Sequence, residues 1–325
     1  MRMQQLQHSV IGGLKRLGEL SGLVSTPLQR AITMAASTAN PKGPYSQHNP
    51  VGLYDCHAHM TASTFDEDRS EVLAAASSLG VAGIIVVSES THDADAVLEL
   101  AKQHRGLIYP CLGLHPVNAQ KGGSADEAEL RPMLGLIEQH AEKLIAVGEV
   151  GLDFTPAVVG KDDDAAAAAK ASQRAIFTAQ VELAKRLGLP LNVHSRGAGH
   201  HAIKLMVDAG HTHALLHAFD GKARYALAAA QQGFLFSVPA SIARDPQTQK
   251  LVKALPITAL VLESDSPALP AEKQARNTPA AILTSLRMIA EIKGMTEQQA
   301  AAAVTANTFK LFPKLLSLQA GNSRV

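Results

Sequence analysis

Short apolar segments alternate with longer amphipathic segments along most of the chain, beginning at Val51. The apolar segments are rich in β-branched residues, which is typical of buried strands, whereas the segments between them carry apolar residues at helical spacing. The predicted strands lie at residues 52–54, 82–87, 107–112, 144–147, 189–193, 214–216, 234–238 and 259–262. Strands that alternate with helices in this way indicate an α/β protein built from parallel βαβ units.

Helical periodicity is clearest at residues 71–79, 93–104, 174–187 and 225–232, and two closing helices are predicted at 279–293 and 297–312. Eight strand–helix units over about 240 residues favour a closed, TIM-like (β/α)8 barrel. Periodicity alone leaves an open doubly wound sheet as an alternative. Residues 155–172 break the rhythm, because they are rich in Asp and Ala, and we predict a surface loop that runs into the next helix.

The first 50 residues differ from the rest, since they contain five Lys and Arg residues but a single acid, Glu19. A short apolar stripe that includes Leu6, Val10 and Leu14 lies beside Lys15. This composition predicts either a disordered tail, with Met34 as an alternative start, or an organelle transit peptide. We therefore expect an N-terminal extension at 1–50, a hydrolase domain at 51–315 and a C-terminal tail at 316–325.

Bulk composition narrows the class of protein. The 325 residues are 46% hydrophobic and carry a net charge of +1, so any nucleic-acid binding must come from a local basic patch. The two cysteines cannot form a disulfide framework and indicate a reducing compartment. No apolar run approaches the roughly 18 residues that a membrane span needs. We expect an intracellular protein, cytoplasmic or nuclear, or mitochondrial if residues 1–50 are a transit peptide, with no obligate protein partner.

Candidate chemistry collects where the predicted strands end, which is where barrel enzymes place their active sites. Six of the eight predicted strands stop on a histidine or a carboxylate, and the residues concerned are His57, His59, His115, Glu149, His194, His217 and Asp265. Imidazole and carboxylate ligands together suit two divalent ions of Zn, Mn or Mg that share a bridge. Such a pair activates water and stabilises an in-line displacement.

These strand ends belong to longer motifs: DCHAH from Asp55, GLHP from Gly113, VGEVGLDF from Val147, NVHSR from Asn192, LLHAFDG from Leu215 and LESDSPAL from Leu262. With them the chain resembles the TatD family of metal-dependent deoxyribonucleases, within the amidohydrolase-like barrel superfamily. The resemblance covers residues 51–315. The wording of the motifs is most similar to the third TatD-domain-containing paralogue of animals.

The resemblance implies a role for each residue. His57, His59 and Asp265 would hold one ion, His194 and His217 the other, and Glu149 would bridge them. Asp265 would also accept a proton from the attacking water, and Glu263 would lie behind the site. His115 and Arg196 would grip the scissile phosphate, and their alternative role is a hydrogen bond that fixes a loop.

The expected function is therefore a metal-dependent deoxyribonuclease that trims single-stranded DNA from its 3′ end. A small-molecule phosphoesterase or amidohydrolase on the same barrel is the alternative, and a non-catalytic binding module is a third possibility. The basic residues available to bind DNA are Arg196, Lys222, Arg224, Arg244 and Arg276. Aromatic residues make up only 4% of the chain, so we expect a small stacking surface.

Overall fold

The computed structural model describes residues 52–118 and 121–322, with side chains through residue 318. Within these residues eight parallel strands pair in sequence order, each with the next. They are β1 (Leu53–Ala58), β2 (Val81–Val87), β3 (Ile108–Leu112), β4 (Ala146–Gly151), β5 (Leu191–His194), β6 (Ala214–Leu216), β7 (Leu235–Val238) and β8 (Leu260–Leu262). Each strand overlaps a predicted one, and the predicted TIM-like barrel is confirmed.

Helices follow the strands and pack around them. The α-helices are α1 (Arg69–Ser78), α2 (Thr91–Gln103), α3 (Leu130–His140), α4 (Pro156–Val159), α5 (Asp163–Leu187), α6 (Gly199–Asp208), α7 (Ala223–Gln231), α8 (Pro246–Ala254), α9 (Ile282–Lys293), α10 (Glu297–Leu311) and α11 (Lys314–Asn322). The inward faces of the helices and the strands share one apolar core. Cys56 of β1 belongs to its outer layer, because its thiol lies 3.5 Å from the Thr308 hydroxyl on α10.

The barrel closes where β1 meets β8, at the carboxyl ends of both strands. The backbone N–H of Asp265 donates to the His57 carbonyl at 2.9 Å. The buried Asp55 carboxylate accepts from the Ser264 backbone at 2.9 Å and from the Ser264 hydroxyl at 2.5 Å, although the two residues are 209 positions apart. We call these contacts the β1–β8 seam. They place the first and last strands side by side at the end of the barrel that carries the predicted site.

The prediction of a loop at 155–172 was wrong for most of that segment. After the short helix α4, the long helix α5 already begins at Asp163. The Asp162 side chain caps it by accepting from the Ala165 backbone N–H at 2.9 Å. Negatively charged side chains in the first turn are stabilised by the positive end of the helix dipole, and alanine has the highest helix propensity. The Asp- and Ala-rich sequence therefore begins a helix here.

The structure bears on the predicted domain boundary near the C-terminus but not on the N-terminal extension. The N-terminal extension predicted at 1–50 lies outside the described residues. At the other end α11 crosses the boundary predicted at 315, and Leu315 is fully buried. Among the helices that the structure describes, none is long and apolar enough to cross a membrane.

Candidate metal centre

The Glu149 carboxylate stands at the centre of the barrel mouth and is almost completely buried. Its Oε2 atom lies 3.4 Å from His59 Nε2 and 3.5 Å from His57 Nε2. Its Oε1 atom lies 2.8 Å from His217 Nε2 and 3.0 Å from His194 Nδ1. Each carboxylate oxygen therefore faces a different set of histidines, which is how a bridging ligand is placed.

The first group consists of His57, His59 and Asp265. The Nε2 atoms of the two histidines are 3.2 Å apart, and Asp265 Oδ1 lies 3.6 Å from the first and 3.4 Å from the second. Residues two apart on a strand share a face, which is why the two imidazoles converge. The structure brings this predicted ligand set together, with Glu149 Oε2 as its fourth neighbour.

The second group consists of His115, His194 and His217. His194 Nδ1 lies 3.3 Å from His217 Nε2, and His115 Nε2 lies 3.3 Å from the same Glu149 oxygen that the other two face. His115 is thus one of three imidazoles around Glu149 Oε1. The two groups are also joined directly, because the rings of His57 and His217 stack in parallel at 3.9 Å.

Both groups have the chemistry of a cation site. The ligand atoms of His57, His59 and Asp265 lie within 4.8 Å of one another, as do those of His115, His194 and Glu149. Ring nitrogens facing each other at 3.2 and 3.3 Å need a proton or a cation between their lone pairs. Neutral imidazole with carboxylate is the ligand mixture that Zn, Mn and related divalent ions accept. The residues therefore form a candidate site for divalent cations, with Glu149 between the two groups.

The pKa shifts of two residues agree with a site for positive charge. Burial alone would raise the pKa of the Glu149 carboxyl, but the charges of His115, His217 and His57 lower the pKa well below its usual range. Burial would lower the pKa of His59, yet its hydrogen bond to Asp265 and the charges of Glu149 and Asp265 raise that pKa to about 9. The centre thus favours positive charge at the position where the ligand atoms converge.

Comparison with known proteins identifies the family. The family model described as TatD related DNase matches residues 54–313. The chain belongs to the TatD family. A human TatD-family protein named deoxyribonuclease TATDN3 is 42% identical over 271 residues, which cover 82% of this chain and 97% of that protein. The predicted family, with its likeness to the third animal paralogue, is confirmed.

Two further TatD-family proteins extend the comparison. The crystal structure of YjjV, a TatD homologue from Escherichia coli K12, superimposes with a TM-score of 0.71 at 27% identity and covers 80% of this chain and 98% of its own. A Cronobacter sakazakii protein named 3′-5′ ssDNA/RNA exonuclease TatD is 27% identical and covers 81% of this chain and 98% of its own. The TatD barrel therefore accounts for nearly the whole described region.

One neutral residue orients the first group. The Asn192 side chain on β5 places its Oδ1 2.8 Å from His57 Nδ1, while its Nδ2 donates to the Cys56 carbonyl at 2.9 Å. The ring is held so that Nε2 faces Glu149 and Asp265. Sequence reasoning missed Asn192, although it lies two residues before His194 on the same strand, a spacing that puts both side chains on one face.

Two carboxylates lie behind the second group. Asp153 Oδ2 lies 3.1 Å from His194 Nε2, and its Oδ1 accepts from the Thr155 backbone at 2.9 Å. Glu263 Oε2 lies 3.6 Å from His217 Nδ1, and its Oε1 accepts from the Ala218 backbone at 2.9 Å. Carboxylates in this position fix the imidazole tautomer and raise its basicity as a metal ligand.

Glycines let β4 bring Glu149 close to β5. A Cβ atom at Gly151 would lie 1.9 Å from the His194 carbonyl oxygen, and one at Gly148 would lie 2.6 Å from the Asn192 Cβ. Gly151 also has a φ of 143°, which side chains disfavour. The GEVG pattern in this TatD-family chain is therefore a requirement of close strand packing on both sides of Glu149.

Asp265 has an unusual backbone conformation for a residue with a side chain. Its φ of 54° lies in the left-handed region, where a non-glycine residue is strained. Its N–H bonds to the His57 carbonyl at 2.9 Å and its carbonyl accepts from Ala268 at 2.7 Å, so the turn is held on both sides. Strain of this kind concentrates at functional sites, where it aims a side chain.

The basic residues predicted to bind DNA differ in availability. Arg196 is exposed beside the second group, and within the described residues its guanidinium makes no hydrogen bond or ion pair. Arg276 is engaged, since it forms a two-pronged ion pair with Asp68 at 2.9 and 2.5 Å. Arg244 donates to the Pro270 carbonyl at 3.1 Å. Of these three, Arg196 is the one free to meet an anion.

Sequence reasoning also missed Glu89, which lies two residues beyond β2. Its Oε1 atom is 3.9 Å from His59 Nδ1, and with His59 and Glu149 it forms another cluster of potential ligand atoms. The signal was present, because β2 ends like the other strands, with a carboxylate shortly after its apolar run. Glu89 is partly exposed and forms the rim of the first group.

Proposed function

We propose that this TatD-family chain is a metal-dependent deoxyribonuclease that uses two divalent cations to hydrolyse phosphodiester bonds, trimming single-stranded DNA from the 3′ end. The observation that carries the proposal is the position of Glu149, with one carboxylate oxygen toward each histidine group. The names of the human and Cronobacter relatives support DNA, and for the latter a single-stranded substrate, as the substrate class.

His57, His59 and Asp265 with Glu149 Oε2 would hold one cation, and His194 and His217 with Glu149 Oε1 would hold the other. Bound there, a pair of divalent ions supplies a nucleophilic hydroxide near neutral pH and stabilises charge on the attacking and leaving oxygens. Zn, Mn and Mg are all compatible with imidazole and carboxylate ligands in this proportion.

Asp265 is the proposed acceptor of the proton from the attacking water. Burial would raise the pKa of its carboxyl, but the hydrogen bond from His59 and the charges of His217 and His57 lower that pKa below its ordinary value. The carboxylate is therefore ionised at neutral pH and can accept the proton of an attacking water. Its strained backbone holds that oxygen toward the first group.

His115 and Arg196 are the proposed phosphate-binding residues. His115 Nδ1 contacts both the Val117 backbone N–H at 3.1 Å and the Val117 carbonyl at 3.2 Å, which holds the ring with Nε2 toward the centre of the site. In the tautomer that carries its hydrogen on Nε2, the ring would donate to a phosphate oxygen. Arg196 lies on the loop after β5, where its free guanidinium can pair with a phosphate in two hydrogen bonds.

The proposal is tested by cleavage of end-labelled single-stranded DNA with metal-stripped protein, to which Mg, Mn or Zn is added back. We expect metal to restore cleavage in the wild type and in the control variants Glu142→Ala and His104→Ala, which lie away from the site. Glu149→Ala and His194→Ala should remain inactive with every metal. Labels at the 5′ and 3′ ends distinguish the direction of trimming.

Two outcomes would contradict the proposal. Protein that binds metal but leaves DNA intact while hydrolysing a small phosphoester would be the alternative small-molecule hydrolase. Cleavage of such a compact substrate should respond little to salt, whereas DNA binding weakens steeply as salt rises. Protein that binds no metal would instead be the non-catalytic barrel.

A further inference from the structure

Four rings form a continuous row beside the second group, outside the set of proposed metal ligands. Phe154 follows β4, His200 and His201 lie in the first turn of α6, and Tyr225 lies in α7. Ring centroids are 5.3 Å apart between Phe154 and His201, 3.9 Å between the two histidines, and 5.1 Å between His200 and Tyr225. We call these four residues the ring row.

Cations lie over both ends of the ring row. The Arg174 guanidinium lies 4.9 Å and the Lys170 ammonium 5.8 Å from the Phe154 ring centre. At the other end the Arg224 guanidinium lies 4.8 Å from the Tyr225 ring and donates to its hydroxyl at 2.9 Å. Rings interleaved with cations are the recurring composition of surfaces that bind single-stranded nucleic acid.

The ring row keeps accessible surface. His200 is exposed, and Phe154, His201 and Tyr225 are half-buried, so these rings are not part of the barrel core. Burial lowers the pKa of His201, and the charges of His200 and Arg174 lower it further, so this ring is neutral at neutral pH. A neutral imidazole offers a flat face for stacking without adding a hydrated charge.

The ring row begins at the metal centre. Phe154 directly follows Asp153, whose carboxylate lies 3.1 Å from His194 of the second group. The Phe154 backbone N–H donates to the Arg196 carbonyl at 3.0 Å, which ties the first ring to the free arginine. Asp220 accepts a hydrogen bond from the Gly197 backbone N–H at 3.2 Å.

We propose that the ring row is a stacking track for unpaired bases, which leads a single-stranded polynucleotide into the metal centre while Arg174, Lys170 and Arg224 pair with its phosphates. This proposal rests on the proposed function, because it assigns a binding surface to the same substrate class. Stacking on a ring tolerates every base, since each base has an aromatic face, so the track would bind strands with little sequence preference.

Base stacking can be separated from phosphate attraction with two fluorescent probes. One is a phosphorothioate oligothymidylate of about ten nucleotides, which resists cleavage, and the other is an abasic strand of the same length and charge. The metal-loaded full chain is titrated with each probe. We expect His200→Ala combined with Tyr225→Ala to weaken binding of the base-bearing probe about 10-fold or more and to leave binding of the abasic probe unchanged.

Matched variants sharpen the test. His200→Phe combined with Tyr225→Phe keeps both rings and should bind the base-bearing probe like the wild type. His104→Ala removes a histidine at the end of α2, away from the ring row, and should change the binding of neither probe. Arg174→Ala should weaken binding of both probes and lower the slope of log Kd against log salt by roughly one, because it removes one phosphate contact.

The outcomes keep the two proposals apart. If the double alanine variant binds both probes like the wild type, or loses both equally, the ring row is not a stacking track, whatever the wild type cleaves. If the variant loses the base-bearing probe alone while the wild type fails to cut unmodified DNA, the track stands and the nuclease proposal fails. Metal content and circular dichroism of each variant show that the centre and the fold are intact.

Discussion

The two halves of the candidate metal centre contain similar residue types but differ in where their carboxylates lie. In the first group a carboxylate, Asp265, faces the ion position, and a neutral amide, Asn192, lies behind His57. In the second group the two proposed ligands, His194 and His217, are imidazoles, and the carboxylates Asp153 and Glu263 lie behind them. Each half thus contains negative charge, at a different distance from the position where its proposed ligand atoms converge.

If each half holds one cation, as proposed, this difference predicts that the two halves prefer different metals. Imidazole ligands suit zinc, whereas a carboxylate among the ligands also admits magnesium and manganese. The second group, whose proposed ligands besides Glu149 are imidazoles, should favour zinc, and the first group should accept a wider range of metals. Glu149 contributes one oxygen to each half and is what couples them.

The largest effect is expected from Glu149→Gln, which removes the element that the halves share. Both ions should be lost, with a fall in affinity greater than the roughly 100-fold that loss of an outer partner costs, and DNA cleavage should fall below detection. Metal content after dialysis measures the stoichiometry, and circular dichroism controls for folding. Retention of one tightly bound ion would show that Glu149 belongs to a single half.

Asp153→Asn should affect the second half alone. The pKa of Asp153 lies at about 2, because hydrogen bonds from His194 and Thr155 outweigh the effect of burial, so the residue is anionic behind His194 at neutral pH. Asparagine can keep the contact with Thr155 while removing the charge. We expect about 10- to 100-fold weaker binding of one ion, measured by competition with a chelator, and unchanged binding of the other. Equal weakening of both would contradict the independence of the halves.

Asn192→Ala tests the first half. The substitution removes the hydrogen bond to His57 and leaves the buried Cys56 carbonyl without its donor, which should cost about 1–3 kcal/mol in the free energy of unfolding. One ion should bind about 10-fold more weakly. Urea denaturation and metal titration measure the two effects separately. Asn192→Asp, which places a carboxylate behind the first group as well, serves as the matched comparison.

The protonation of His59 should make metal-free protein sensitive to alkaline pH. Its pKa rises from 6.5 to about 9 on folding, so its contribution to stability is complete below pH 6.5 and is lost as the pH rises through about 9. The Tm of metal-free protein should therefore fall by a few degrees over that range. A His59→Asn variant with the same fall in Tm would assign the effect to another group.

Glu89→Gln should have the smallest effect. Glu89 lies 3.9 Å from His59 and is 38% exposed, so water already screens its charge. We expect a change in first-site affinity of about two- to threefold, within what exposed ion pairs contribute. A loss as large as that of Asn192→Ala would make Glu89 a direct ligand.

The barrel and its ligands could be predicted from sequence because both follow short-range rules. Buried parallel strands correspond to apolar runs in the sequence, and the residues just after those runs lie together at one end of the barrel. Glu149 and His194 were therefore predictable without coordinates. The length of α5 was not, because Asp162 and the alanines after it resemble a low-complexity loop until the cap is seen.

Residues that act through another side chain could not be predicted in the same way. Asn192 reaches His57 across 135 positions, and the β1–β8 seam joins residues farther apart still. The ring row was missed for another reason. Counting aromatic residues as Phe, Tyr and Trp leaves out histidine, and two of the four rings in the row are His200 and His201.

The β1–β8 seam links the stability of the barrel to its candidate metal ligands. Asp55 and Ser264 close the ring of strands and sit next to the ligands His57 and Asp265. An ion held by those ligands would link the first strand to the last. An ion that binds only the folded barrel stabilises the folded state by mass action. A chelator should therefore lower the stability of the barrel as well as its activity, because it removes a link between the first and last strands.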